Sequence, residues 1–211
     1  MAKCTITLGR EFCTGGRGIA EKAAQALGLK FYDKELITLA AKHSGLSEEA
    51  VAASEKQHTH SLLYNLYTMG NDLPLGDQVF ILQSRIIKDL AEQGPCVILG
   101  RCGDYVLRER KDVLRVFVYA PIEFRLAYAK QSPLFDFGGK PDKDVLDAIR
   151  KTDKKRSAYY NYYTQNRWGD VHNYDLALNA TLGEDACVEM ILTALRAKEA
   201  ALTATEQESE K

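Results

Sequence analysis

The chain has 211 residues, 45% hydrophobic and 27% charged, and its 28 lysines and arginines against 29 acids leave a formal net charge of -1. That length supports one sizeable core, and the near-neutral balance gives no global field to attract nucleic acid or an acidic membrane surface. The five cysteines (Cys4, Cys13, Cys96, Cys102, Cys187) form no C-x-x-C pair and are odd in number, which argues against a disulfide framework or a structural zinc site; no run is long enough to span a membrane, no signal-like apolar region opens the chain, and a cytoplasmic location is expected.

In chain order, Cys4 to Gly28 reads CTITLGREFCTGGRGIAEKAAQALG. A short β-rich run with Ile6 and Leu8 meets a glycine-rich turn, and an amphipathic helix follows with Ile19, Ala20, Ala23, Ala24 and Leu27 on one face and Gly28 as C-cap. Strand, glycine turn and helix make a phosphate cradle: glycines let backbone N–H groups converge on an oxyanion, and the helix N-terminus favours negative charge. Arg17 supplies a cation at the mouth. Against the phosphate-loop pattern G-x-x-x-x-G-K-[ST] the match is imperfect. With Gly16-Arg17-Gly18 on the last three positions, the first glycine falls on Glu11, Arg17 replaces the lysine, and Gly18 replaces the hydroxyl that would hold Mg²⁺. An ordinary flexible turn is the competing reading. Cys13, in the loop, is either a thiol of lowered pKa near a helix N-terminus or, as favoured, a small loop-filling residue.

Lys30-Phe31-Tyr32-Asp33 is a short extended piece, with Asp33 as N-cap of a helix carrying Leu36, Ile37 and Leu39 or Ala40. Ser47-Glu48-Glu49 starts another helical segment. Val51 to Gly70 is looser, with His58, His60, Tyr64 and Tyr67; His58 and His60, two apart, face different ways on a helix, which makes a metal site improbable, and read as surface or packing residues. After a loop from Asn71 to Gly76 comes a helix from Asp77 to Gln93, stopped by Gly94-Pro95. Strands are expected near 4–8, 96–99, 113–119 and 174–179, the apolar run Cys96-Val97-Ile98-Leu99 marking one covered on both faces. Pro121 stands at the start of a helix with Ile122, Leu126 and Ala129. Ser132 to Pro141 is a hinge or lid edge, and a charged helix runs from Asp144 to about Tyr163. Tyr159, Tyr160, Tyr162, Tyr163 and Trp168 either stack on a base or pack the lid helix onto the core, with packing favoured. Thr181 with Glu184 suggests a capping box before a last helix, and from about Ala197 a polar tail frays. Strands separated by helices imply a parallel sheet with helices on both faces, and ligands in such folds bind beyond the strand C-termini. The glycine loop, Gly100-Arg101 and Ala120-Pro121 follow the strands there.

Taken together, GREFCTGGRGIAEKAAQALGLKFYDKELI, CVILGRCGDYVL, RVFVYAPIEFRLA and DKKRSAYYNYYTQNRWGDVHNYDLALNAT resemble, in the same order, the cytidylate kinase-like family of P-loop nucleoside-monophosphate kinases. The resemblance implies one α/β domain over 1–200, with a five-stranded parallel P-loop sheet, a helical acceptor-binding insert at 33–76, a lid at 132–168 and a polar tail at 201–211. It implies ATP with Mg²⁺ as donor and a small-molecule nucleotide as acceptor. By the same resemblance Thr14, Gly15, Gly16, Arg17 and Gly18 cradle the donor phosphates. Asp33 orients the acceptor sugar or phosphate, and Arg101 grips the acceptor phosphate with Asp104 beside it. Asp153 and Arg156 approach the acceptor and the transferring phosphoryl, and Arg150 is a further lid candidate. Simpler roles compete: Arg101 paired with Asp104, an Asp153–Arg156 helix salt bridge, Asp33 as a cap only. The Mg²⁺ ligands are open, with water and Glu11 or Asp104 as conjectures. The oligomeric state is also open, a homodimer being one option. A non-catalytic nucleotide sensor with an altered loop is the second functional reading.

Overall fold

The computed structural model describes residues 3–33, 38, 39, 42, 49 and 74–209. Of the helices expected after Asp33 and from Ser47, Thr38, Leu39, Lys42 and Glu49 are described and are helical; Leu36, Ile37, Ala40, His58, His60, Tyr64, Tyr67 and Asn71 lie outside the described residues.

The five strands are β1 (Thr5–Arg10), β2 (Lys30–Tyr32), β3 (Cys96–Leu99), β4 (Val113–Tyr119) and β5 (Leu176–Asn179). They form one sheet of order β2-β3-β1-β4-β5, every pairing parallel. Among the described residues the helices are α1 (Gly16–Leu27), α2 (Leu75–Gln93), the short α3 (Gly103–Val106), α4 (Ile122–Gln131), α5 (Asp142–Thr164) and, after the last strand, α6 (Glu184–Ser209). All four residues of β3 are buried, as a strand covered on both faces requires. On one face, α1 and α6 close over Ile6, Leu8, Val97, Val116 and Val118 through Ile19, Ala23, Cys187, Ile191 and Leu195. On the other, α2 lays Val79, Ile86, Ile87 and Ala91 against Cys96, Ile98 and Val113. A third, smaller cluster packs Cys13 with Ala129, Val145 and Ile149, joined by Phe12, Tyr128, Phe135 and Phe137. It seats α4, α5 and the segment between them directly on the glycine loop.

Two local expectations are corrected. Thr181 is not the N-cap of the last helix: it sits in a 3-10 turn, Ala180–Leu182, where Asn179 Oδ1 accepts from its N–H and its hydroxyl, and α6 begins at Glu184. Nor does the chain turn to a frayed tail near Ala197, because α6 continues to Ser209. Glu199 on its further part accepts from the backbone N–H groups of Lys3 (2.5 Å) and Cys4 (3.1 Å), tying the last helix to the entrance of β1.

Candidate functional site

β1 delivers the chain to the C-terminal edge of the sheet, where the glycine loop turns it into α1. Gly15 takes a left-handed φ of 77°, and Thr14 closes the turn: its hydroxyl donates to Glu11 O (3.0 Å) and accepts from Gly16 N–H (3.3 Å). The first amides of a helix have no intrahelical acceptors, so a loop shaped this way presents donors and the positive end of the helix dipole together. The loop is also braced from outside. Phe12 N–H donates to Asp153 Oδ1 (2.8 Å), Ala120 N–H donates to Glu11 Oε2 (3.0 Å), and the buried Arg125 reaches Asp153, Phe12 O (3.4 Å) and Glu11 (3.6 Å). Cys13 is buried against Ala129, Val145 and Ile149 as a packing residue, and burial pushes its thiol up to about 12.

The exit of β3 forms the facing wall. Gly100, Arg101 and Cys102 all have left-handed backbones, with φ of 75°, 53° and 55°. Two of these are not glycine, and strain of this kind, roughly 1–2 kcal/mol per residue, persists only where the surroundings hold it. The turn sends the Arg101 side chain, only 12% exposed, to Asp33 Oδ1 (3.4 Å) and Leu99 O (3.4 Å). Asp33 Oδ2 accepts from Arg17 Nε at 2.9 Å. One carboxylate thus stands between two guanidinium groups, from α1 and from the β3 exit. Arg17 is 45% exposed, also faces Glu21 at 3.6 Å and lies over the Phe31 ring. Its side chain leaves the mouth of the loop for the Asp33 side.

Between the end of β1 (Gly9 and Arg10), the β3 exit and α5 lies a cavity of about 380 Å³. Arg10, Arg101, Lys155 and Arg156 give it positive charge, and Tyr159, Tyr160, Trp168 and Tyr174 give it an aromatic side. Arg156 Nη1 donates to Arg10 O (3.1 Å) and its guanidinium lies over the Phe12 ring. Burial pulls its pKa below the usual arginine range, opposed by the charge of Asp153, but a guanidinium stays protonated. The tyrosines divide by role. Tyr163 donates to Asp77 (2.9 Å) and stacks on Phe80, fastening α5 to α2, whereas Tyr159 and Tyr160 face the cavity.

Asp104 is buried at the cavity wall and accepts from the Tyr160 hydroxyl at 2.6 Å. Desolvation raises its pKa. A carboxyl with a raised folded-state pKa contributes stability that is present below the usual carboxylate range and lost as pH climbs through the raised value. Asp104→Asn keeps an acceptor for Tyr160 and never ionises. Its melting temperature relative to wild type is therefore expected to rise as pH climbs from the usual carboxylate range through the raised value, and to level off above it; thermal melts across pH check this.

Gly100 permits a close approach. A Cβ there would meet Arg10 Nη1 closer than real Cβ atoms come to anything, and the backbone is already left-handed. Gly100→Ala is expected to lower stability by about 1–2 kcal/mol in urea unfolding and to displace the Arg10 guanidinium.

The sequence-selected residues fall into groups. Thr14, Gly15 and Gly16 form the loop; Asp33, Arg101 and Arg17 form one ion-paired cluster; Arg101, Asp104 and Arg156 line the cavity. Arg101 pairs with Asp33 and not with Asp104, and Asp153 pairs with Arg125 and not with Arg156. Asp153 therefore braces the loop. Arg150 is 65% exposed on the outer face of α5, 3.8 Å from Asp147, and is not among the cavity residues. Gly18 faces α6: a Cβ there would lie 2.9 Å from Glu184 Oε1. Sequence reasoning missed Arg10 and Lys155; Arg10 directly precedes the loop in Gly9-Arg10-Glu11, and that adjacency was the available signal.

The loop and helix N-terminus fit a nucleotide polyphosphate. The residues considered for Mg²⁺ fit less well. Gly18 offers no hydroxyl, a Glu11 oxygen already accepts from Ala120, and Asp104 is buried with its ionised form disfavoured. Among the described residues, His, Cys, Asp and Glu side chains form no cluster of three or more able to hold a metal ion.

Comparison with solved structures gives fold-level likeness. An uncharacterised protein from Eubacterium ventriosum is 23% identical with a TM-score of 0.68, covering 92% of this chain and 99% of that one. A shikimate kinase from Bacteroides thetaiotaomicron is 15% identical with a TM-score of 0.55, over 92% of this chain and 99% of that one. A gluconokinase from Sinorhizobium meliloti is 15% identical with a TM-score of 0.54, over 96% and 97%. No curated protein gives a significant match. The parallel sheet with its glycine loop is the P-loop kinase fold, and the family profile fits residues 5–182: the chain belongs to the cytidylate kinase-like family.

Proposed function

We propose that the protein transfers the terminal phosphoryl group of ATP to a nucleoside monophosphate. The observation that carries this reading is the cavity shared by Arg101 and Arg156 beside the glycine loop. A protein that only binds ATP has no need of a second cationic hollow next to the phosphate cradle. In this reading the donor phosphates lie on the Gly15–Gly16 turn at the start of α1, and the acceptor phosphate lies against Arg101 and Arg156. Asp33, held between Arg17 and Arg101, orients the acceptor sugar or phosphate. The aromatic side of the cavity offers π faces to the acceptor base, each stacking contact worth about 1–3 kcal/mol.

Phosphoryl transfer asks the protein for alignment and for positive charge around the equatorial oxygens. Arginine forks supply both, since each can hold two phosphate oxygens. The segment from 132 to 168, whose aromatic residues pack on Phe12 beside the loop, excludes water that would otherwise hydrolyse ATP. The described residues form no cluster of metal-binding side chains, so a Mg²⁺ accompanying ATP would have to be held chiefly by the nucleotide phosphates and water.

A second reading, a nucleotide-binding protein without turnover, draws on the incomplete magnesium donor set and on Arg17 engaging Asp33. A panel of nucleoside monophosphates, with shikimate and gluconate added because of the structural neighbours, assayed with ATP and Mg²⁺, separates the two. Transfer to a monophosphate supports the kinase and transfer only to an acid acceptor redirects the substrate class. Tight ATP binding with no product supports the sensor.

A further inference from the structure

We infer that Arg10, and not Arg17, is the cation that contacts the donor and acceptor phosphates together. The inference rests on the phosphoryl-transfer reading for the identity of the ligand, and on the following geometry for the residue. Arg10 is the last residue of β1, directly before the glycine loop. Its side chain runs between two glycines that each lack the atom that would obstruct it. At Gly16, a Cβ would lie 2.9 Å from Arg10 Cβ; at Gly100, a Cβ would collide with Arg10 Nη1. The root of the side chain therefore touches the phosphate loop and its guanidinium touches the β3 exit that carries Arg101. Its carbonyl accepts from Arg156, so the same residue also anchors the lid-helix arginine. The guanidinium lines the cavity with Arg101 and Arg156.

Arg17, which the loop pattern puts in the lysine position, is arranged otherwise. It is half exposed, salt-bridged to Asp33 and Glu21, and lies over Phe31. Arginine is longer than lysine and has a planar fork that matches a carboxylate, so Asp33 is a better partner for it than a compact phosphate cradle beneath its own backbone. A cation reaching in from the end of β1 supplies the charge that Arg17 directs to Asp33. It reaches the junction of the two halves, where the transferred group must pass.

Trp168, the only tryptophan of the chain, lines the same cavity, so its fluorescence reports occupancy. Inorganic tripolyphosphate titrated into the full chain is expected to saturate that signal. Arg10→Met is expected to weaken binding by roughly 10–100-fold, the loss of charge-assisted hydrogen bonds, with Arg10→Lys recovering part. Arg17→Met is expected to have at least about 10-fold less effect. Gly100→Ala, which keeps the Arg10 charge but moves its guanidinium, is expected to weaken binding as well, and covers the case in which Arg10→Met fails to fold. No binding by wild type, no loss in Arg10→Met, or equal losses at positions 10 and 17 overturns the inference. The acceptor panel reads the parent proposal separately. No turnover with any acceptor, but tripolyphosphate binding that depends on Arg10, rejects the kinase and keeps Arg10 as the phosphate ligand; turnover unaffected by Arg10→Met does the reverse.

Discussion

Arg156→Met is expected to lower kcat for phosphoryl transfer by about 10²-fold or more, by analogy with removal of a preorganised electrostatic donor. The guanidinium sits on α5, donates to the Arg10 carbonyl, packs over Phe12 and lines the cavity beside Arg101. Methionine preserves much of the length and apolar contact, so the change isolates charge and hydrogen bonding. The loss should fall mainly on kcat, because charge on the transferring oxygens is redistributed in the transition state, with a smaller rise in KM for the acceptor. Steady-state kinetics with the best acceptor from the panel, alongside a thermal melt near that of wild type, checks it. Unchanged kcat would remove Arg156 from the reacting centre.

Asp153→Ala is expected to destabilise the fold by about 3–5 kcal/mol, the magnitude for breaking one side of a buried ion pair. Asp153 accepts from Phe12 N–H in the glycine loop and pairs with Arg125, whose side chain is 9% exposed and whose Nε is buried without a hydrogen-bond partner. Removing the carboxylate leaves Arg125 with Glu11 at 3.6 Å as its remaining ion partner. Asp153→Asn, which keeps an acceptor for Phe12, should lose less. Urea unfolding of the variants measures both. A loss confined to activity, with full stability, would return Asp153 to the role the family resemblance implies, contact with the reacting groups.

Much of the fold was legible because it follows from burial and local geometry. An apolar tetrad such as Cys96–Leu99 admits few structures other than a doubly covered strand, and glycine at 15 and 28 marks left-handed turns at the two ends of α1. Helix ends were less legible where a competing local bond exists: Asn179 holds Thr181 in a 3-10 turn, so α6 starts at Glu184. The polar composition after Ala197 suggested fraying, yet Glu199 finds partners at the far end of the chain in Lys3 and Cys4.

In the site, backbone elements were easier to read than side-chain directions. That Arg17 points to Asp33, that Asp153 takes Arg125 from α4, and that Arg10 passes between Gly16 and Gly100 all depend on packing between distant segments, which no spacing encodes. Gly18 looked like a missing magnesium ligand; its α carbon faces Glu184 on α6, so at this position the loop pattern has given way to helix packing.

A crystal structure of the protein with ADP and CMP bound together tests the account most directly. It should show the ADP β-phosphate on the Gly15–Gly16 turn and the CMP phosphate against Arg101 and Arg156. The two should be in line and separated by the reach of one phosphoryl group, with Arg10 between them. Phosphates on different faces of the sheet, or a cavity filled by CMP with its phosphate directed to solvent, would contradict it.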